Sequence, residues 1–177
     1  VIGSRGNEKP TGQLRQRKSL LGDLVNSSPQ YIQRGEDEGY AFLPTGAPEN
    51  ASSNNYVKFY SETKKAWPGM IYIGANDGML HAFNAEDGVE KFAYVPRSIV
   101  GNLPQLAKPD YSHKFFVDGT PMIGDAYING AWKRILLGGT GAGGRSIFAL
   151  DISNPAAVFD PNSVLWEVTD ADLGYTI

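Results

Sequence analysis

The feature that most constrains this chain is a repeat. Residues 71–96, IYIGANDGMLHAFNAEDGVEKFAYVP, read as three short strands joined by two tight turns. Ile71, Ile73 and Ala75 alternate with Tyr72 and Gly74. Asn76-Asp77-Gly78 and Glu86-Asp87-Gly88 supply the residues that tolerate the positive φ of hairpin turns. The same order of parts returns at 135–168, about 65 residues later. Ile135-Leu136-Leu137-Gly138-Gly139 matches Ile71-Tyr72-Ile73-Gly74-Ala75, Phe148-Ala149-Leu150-Asp151 matches His81-Ala82-Phe83-Asn84, and Leu165-Trp166-Glu167 stands where Lys91-Phe92-Ala93 stands. The strand ahead of each meander recurs as well, as SSPQYI (27–32) and as GTPMIG (119–124) followed by DAYI (125–128). Four strands per unit in one up-and-down sheet is what a β-propeller blade requires.

The sequence therefore specifies an all-β fold, a partial β-propeller of about two four-stranded blades with short helical insertions. Residues 1–19 form a lead-in segment and 20–177 the propeller part, with blade one at about 26–96, an insertion at 34–68 within it, and blade two at about 115–169. Two blades cannot close a ring, so the chain is expected to be a fragment; 173–177 look like the approach to another blade.

Composition narrows the function classes. The 21 Gly and 11 Pro favour short strands and turns over long helices, and 41% hydrophobic content is ordinary for a globular chain of 177 residues. A formal net charge of −3 argues against broad phosphate-backbone binding, so nucleic acid is not an expected partner. Cysteine is absent, which removes disulfides and thiol chemistry. No run has the length of a membrane span, and VIGSRGNEKP lacks the apolar core of a signal peptide.

The lead-in is polar and reads as flexible, with Arg15, Arg17 and Lys18 either solvated or available to an acidic partner. Pro29 fits a strand start. The insertion is rich in Gly, Pro, Asn, Ser and acids, and reads as a surface spacer or a binding loop. Within it Ser53-Asn54-Asn55 is placed to cap a helix at 56–65 that packs on the neighbouring blade; a second short helix is expected at 97–106, interrupted at Pro104.

Three sets of residues invite a chemical reading. His81 and His113 each resemble a ligand or base, but neither has a Cys, His or HExxH-type neighbour, which favours structural histidines. GGTGAGGR (138–145) suggests a phosphate cradle, but it lacks the Walker lysine and hydroxyl and leads into a strand, so it reads as an inter-strand turn. Asp77, Asp87, Asp118, Asp125, Asp151 and Asp160 all fall at or near turns, where the side chain hydrogen-bonds its own backbone, and none lies in a D-x-[DN]-x-[DN]-G loop. No catalytic, cofactor-binding or metal-ligating residue is assigned, and no cofactor is expected.

The pattern Ala82-x-Asn84-x-x-x-Gly88 with Phe92, and Ala149-x-Asp151 with Trp166, resembles the quinoprotein-like repeat, in which a tryptophan docks on the adjacent blade. More closely, LLGDLVNSSPQYI, PGMIYIGANDGMLHAF, FFVDGTPMIGDAYI and GGTGAGGRSIFALD resemble the C-terminal propeller of the PilC/PilY family of type IV pilus assembly and tip-adhesin proteins. The likeness covers residues 20–176; it departs at Phe92, where the docking motif has Trp, and in lacking the family's aspartate-rich calcium loop. The resemblance implies a non-enzymatic segment of an exported bacterial protein at the pilus tip or outer membrane. Such a protein supports pilus biogenesis, twitching motility and adhesion, with pilus components, host or abiotic surfaces and the remaining blades as partners. Two other classes stay open, a quinone-dependent dehydrogenase built on the same repeat and an outer-membrane assembly scaffold.

Overall fold

The computed structural model describes residues 4–51, 54–155 and 159–175. Its frame is two four-stranded antiparallel sheets, each an up-and-down meander in sequence order. The first contains β1 (Gln30–Ile32), β2 (Met70–Ala75), β3 (Met79–Asn84) and β4 (Glu90–Tyr94). The second contains β5 (Met122–Ile128), β6 (Ala131–Gly139), β7 (Ser146–Asp151) and β8 (Val164–Thr169). These are the two blades.

The repeat holds strand for strand, with one correction. In the first sheet Tyr72 pairs with Ala82 and Ala82 with Phe92; in the second Leu137 pairs with Ala149 and Ala149 with Trp166. Both outer ladders bulge immediately after that alanine, at Ala82/Phe83 and Ala149/Leu150. Tyr72 is therefore equivalent to Leu137, whereas matching the apolar runs put it opposite Leu136. A one-residue slip exchanges the two faces of a strand, and the unbroken run Ile135-Leu136-Leu137 carries no alternation to prevent it. The pairing of Phe92 with Trp166, and of Gln30 with Met122 ahead of them, stands as read from the sequence.

The core lies between the sheets. Met70, Tyr72, Leu80, Ala82 and Tyr94 from the first meet Leu136, Phe148, Leu150 and Ile152 from the second, with Phe116 and Val117 of the connecting segment buried among them. That segment is held by backbone bonds at both ends: Val117 N donates to Ala75 O (3.4 Å) and Asp118 N to Thr140 O (3.2 Å). Burial of this kind contributes about 1.5–3 kcal/mol per large apolar side chain, the main stabilising term available to a chain without disulfides.

Helix is confined to insertions. α1 (Tyr56–Glu62) starts where Asn55 Oδ1 accepts from Lys58 N (2.8 Å), so the cap is Asn55; Ser53 lies outside the described residues. The helix ends at Glu62 and a separate 3-10 turn, Lys64–Ala66, completes the stretch expected as one helix. α2 (Arg97–Val100) is a single turn followed by a 3-10 turn, Leu103–Ala107. The break falls at Gly101-Asn102; Pro104, expected as the interruption, sits in the first turn of the second piece, where a missing N–H costs nothing.

The lead-in is not a solvated flexible arm over residues 4–19. Glu8 is buried and takes Arg17 in an ion pair (2.5 Å), Arg15 Nε donates to Leu106 O (2.9 Å), and the Arg15 guanidinium lies 4.2 Å from the Tyr111 ring centroid. Two of the three cations read as free are thus occupied in docking this segment. No helix among the described residues is long and apolar enough to cross a membrane.

Candidate functional site

The equivalence of the two sheets defines the site. Tyr72, Leu80, Ala82, Phe92 and Tyr94 share the face of the first sheet that looks at the second, by the pairings Tyr72 with Ala82, Ala82 with Phe92 and Leu80 with Tyr94. Tyr94 meets Phe148 with ring centroids 5.0 Å apart, and Phe92 stacks on Phe159 at 4.1 Å. Phe92 thereby makes the inter-blade contact of the docking aromatic even though it is not tryptophan. Tyr94 Oη also donates to Glu167 Oε2 (2.8 Å), whose carboxylate accepts from Arg97 N (2.9 Å) and Ser98 N (3.0 Å). Burial would raise the Glu167 pKa, but the Arg97, Ser98 and Tyr94 donors outweigh it and hold the group below its ordinary value.

The corresponding residues of the second sheet are Leu137, Ile147, Ala149, Trp166 and Val168, with Met122 at the end of the row. Apart from Ala149, which is buried, none of them is fully covered by the described residues. Met122 is 70% exposed, Val168 45%, Leu137 and Trp166 44%. Met122, Leu137 and Trp166 line an open, mainly apolar cleft of about 480 Å³ together with Ile147, Phe148 and the backbone of Gly138 and Gly139. Exposed singly such residues are unremarked on a protein surface, but aligned on one sheet face they form a packing surface. Trp166 stands at the docking-tryptophan position of the repeat, and the structure leaves it half exposed at the edge of this cleft. Met122, Leu137, Ile147 and Val168 were not recognised. The available signal was Ile135-Leu136-Leu137, a run apolar on both faces, which marks a sheet covered on both sides.

One rim of the cleft is polar and rigid. Asp118 is buried and accepts from Asn26 N (3.2 Å), Asn26 Nδ2 (2.5 Å) and Asn76 Nδ2 (3.3 Å), while Asn76 Oδ1 accepts from Phe116 N (2.9 Å). This corrects the reading of Asp118 as a local turn residue, since it joins segments more than 40 residues apart. Behind it runs the glycine turn, β6 to β7, with a 3-10 turn at Gly141–Gly143. A Cβ on Gly143 would stand 2.0 Å from Phe116 O, so the glycine is required by the backbone that passes over it.

The remaining candidates divide cleanly. Asp87, Asp151 and Asp160 accept from Val89 N, Ser153 N and Asn162 N two residues on, the turn role expected of them. Asp77 does the same for Met79 N and also takes Gly22 N and His81. Asp125 does not: it lies inside β5, its side chain wholly buried against Lys64 and Arg134. His81 is buried between Asp77 (Nε2, 3.1 Å) and Glu90 (Nδ1, 2.5 Å), a satisfied structural histidine. Burial would lower its pKa, but the two carboxylates outweigh burial and raise it. His113 pairs with Asp23 (2.6 Å), packs edge-on against Phe115 (5.0 Å) and is exposed. No group of three or more His, Cys, Asp or Glu side chains able to hold a metal occurs among the described residues.

What these features define is a propeller piece with an open apolar sheet face and buried polar side chains, Asp118 and Asp125 among them, that tie distant segments together. The chain belongs to the PilY1 beta-propeller domain family, which it matches over residues 21–174. It is 43% identical over 171 residues to a type IV pilus biogenesis factor PilY1 homolog of Xylella fastidiosa, and 41% identical over 178 residues to type IV pilus biogenesis factor PilY1 of Pseudomonas aeruginosa. These matches cover 94% and 97% of this chain but 11% and 14% of those proteins. Among solved structures it resembles the crystal structure of the Pseudomonas aeruginosa PilY1 C-terminal domain, at 34% identity and a TM-score of 0.60, covering 82% of this chain and 27% of that one.

Proposed function

We propose that this chain is a non-catalytic propeller segment of a larger surface protein that supports type IV pilus biogenesis, twitching motility and surface adhesion. The observation that carries the reading is the family match over residues 21–174, spanning both sheets and the connecting segment. The geometry is compatible with it. The titratable groups brought together, Asp77 with His81 and Glu90, and Asp125 with Lys64 and Arg134, are consumed by mutual pairing. The open cleft is apolar, suited to packing against protein. The segment acts in an exported protein at the pilus tip or outer membrane, with pilus components and further blades as partners.

The test is genetic. Gly78 has φ +96°, and a Cβ there would lie 2.4 Å from Leu103 Cδ2, so Gly78→Val combines left-handed strain with a clash and costs about 1–3 kcal/mol. Introduced into the whole protein in its own bacterium, it is expected to lower folded protein, surface piliation and twitching in proportion. A variant that stayed abundant and folded while losing an alcohol or sugar oxidation would replace this reading with a quinone-dependent dehydrogenase.

A further inference from the structure

The insertion and the second sheet meet at a buried cluster that neither the fold nor the proposed function explains. Lys64, in the turn after α1, is 0% exposed and its Nζ contacts Asp125 Oδ2 directly. Tyr56 Oη lies 2.7 Å from the same oxygen and 2.9 Å from Nζ. On the other side of the carboxylate, Arg134 Nε donates to Oδ1 (3.1 Å). Glu38 Oε1 stands 4.0 Å from Lys64 Nζ and 3.2 Å from Arg134 Nη2. Aromatic rings wall the cluster in: Tyr56 packs on Tyr40 (5.1 Å) and Trp132 (4.9 Å), and Phe59 on Trp67 (5.7 Å).

We propose that Lys64 and Asp125 are the site of an intramolecular isopeptide bond, a covalent tie between the insertion of blade one and the first strand of blade two. The step balances without a co-reactant. Lys64 Nζ bonds to Asp125 Cγ, the Cγ–Oδ2 bond breaks, and the two protons that Nζ gives up in passing from ammonium to amide leave on Oδ2 as water. Each neighbour has a place in that step. Arg134 Nε is positioned on Oδ1, where negative charge gathers in the tetrahedral intermediate. Tyr56 Oη bridges Nζ and the departing oxygen. Glu38, the remaining carboxylate beside Nζ, carries the proton between them.

Two physical features favour the reaction. Two side chains with no exposure hold opposite charges out of water, a costly arrangement that a neutral amide removes; the product leaves Arg134 paired with Glu38. Burial pushes the Lys64 pKa down despite Asp125, and burial pushes Glu38 up, so the nucleophile is more readily deprotonated and the proton carrier more readily protonated than in water. The aromatic wall then keeps water from reversing the bond.

The experiment is peptide mapping of the folded whole protein after denaturation and tryptic digestion, read by tandem mass spectrometry. The expected product is a branched peptide, uncut after Lys64, joining the Lys64 and Asp125 segments at one water less than their summed mass. Separate linear peptides with cleavage after Lys64 overturn the proposal. Lys64→Arg keeps the charge and removes the nucleophile, so it must abolish the branched species; persistence there overturns the assignment of the bond to this pair. Glu38→Gln, at a partly exposed position, is expected to leave the protein folded and the two peptides predominantly unlinked. Unchanged linkage in that variant overturns the role given to Glu38.

Discussion

The two sheets share a topology and a register, yet equivalent positions live in different surroundings. Leu80 and Tyr94 are buried under the second sheet, while of their counterparts Ile147 lines the open cleft and Val168 is 45% exposed. The opposite faces differ too: His81, held by Asp77 and Glu90, occupies in the first sheet the position that Phe148 occupies in the second. The lesson is that strand order comes from the repeat, whereas the chemistry at each position comes from what lies against it. An inward face in this architecture is made by its neighbour.

The largest test of that comparison is Phe148→Ala. The ring is 0% exposed and packs on Tyr94, so truncation leaves a cavity between the sheets at a cost of about 3–5 kcal/mol. A denaturant midpoint series with unchanged slope measures it. A loss below about 1 kcal/mol would mean that the two sheets do not share one core.

Next comes Tyr94→Phe, which removes the hydroxyl donor to Glu167 and is expected to cost about 1.5–3 kcal/mol near neutral pH, the range for a hydrogen bond to a charged group. The pH dependence gives an internal check. Because the folded pKa of Glu167 is depressed, its contribution is present above the ordinary glutamate pKa and is lost as pH falls through the folded value. The variant should narrow the stability difference between neutral and acid conditions without abolishing it, since Arg97 N and Ser98 N still donate.

How much of this was legible beforehand follows from the range of each interaction. Tight turns are local, so Asp87, Asp160 and Gly78 read correctly from a few neighbours. The docking role of Phe92 was legible because the repeat itself placed it opposite Trp166. Asp118 and Asp125 were misread because their partners, Asn26 at one and Lys64 at the other, are distant in sequence and leave no spacing signature. Arg15 and Arg17 were misread for the same reason: a cation in a polar segment looks solvated until Glu8 and Leu106 O are found beside it. The face containing Leu137 was hidden by a run in which every residue is apolar, where periodicity is silent.

A smaller effect is expected at His81. Its folded pKa is raised, so its contribution is fully present below the ordinary histidine pKa and is lost as pH rises through the folded value. His81→Gln should flatten the stability profile between mildly acidic and mildly alkaline pH, with urea unfolding at several pH values as the measurement. The parallel change at the equivalent position, Phe148→Gln, should instead lower stability at all pH values, because the site it enters is dry and apolar. Matching pH profiles for the two variants would erase the difference between the faces.

The smallest expected effect is at Trp166, and there the setting decides the outcome. In this chain alone the ring is 44% exposed beside an open cleft, and Trp166→Ala is expected to shift stability by about 0.5 kcal/mol or less. Its counterpart Phe92 lies against Phe159 at 4.1 Å, and Phe92→Ala is expected to cost about 2–4 kcal/mol in the same assay. The repeat makes the two positions equivalent, so the gap measures what a covering neighbour contributes. If a further blade covers this face in a longer protein, Trp166→Ala there should approach the Phe92→Ala value. If the two truncations already cost the same in the short chain, Trp166 is packed without a neighbour and the cleft is not a docking face. If Trp166→Ala remains silent in the longer protein, the surface beside it stays open there as well.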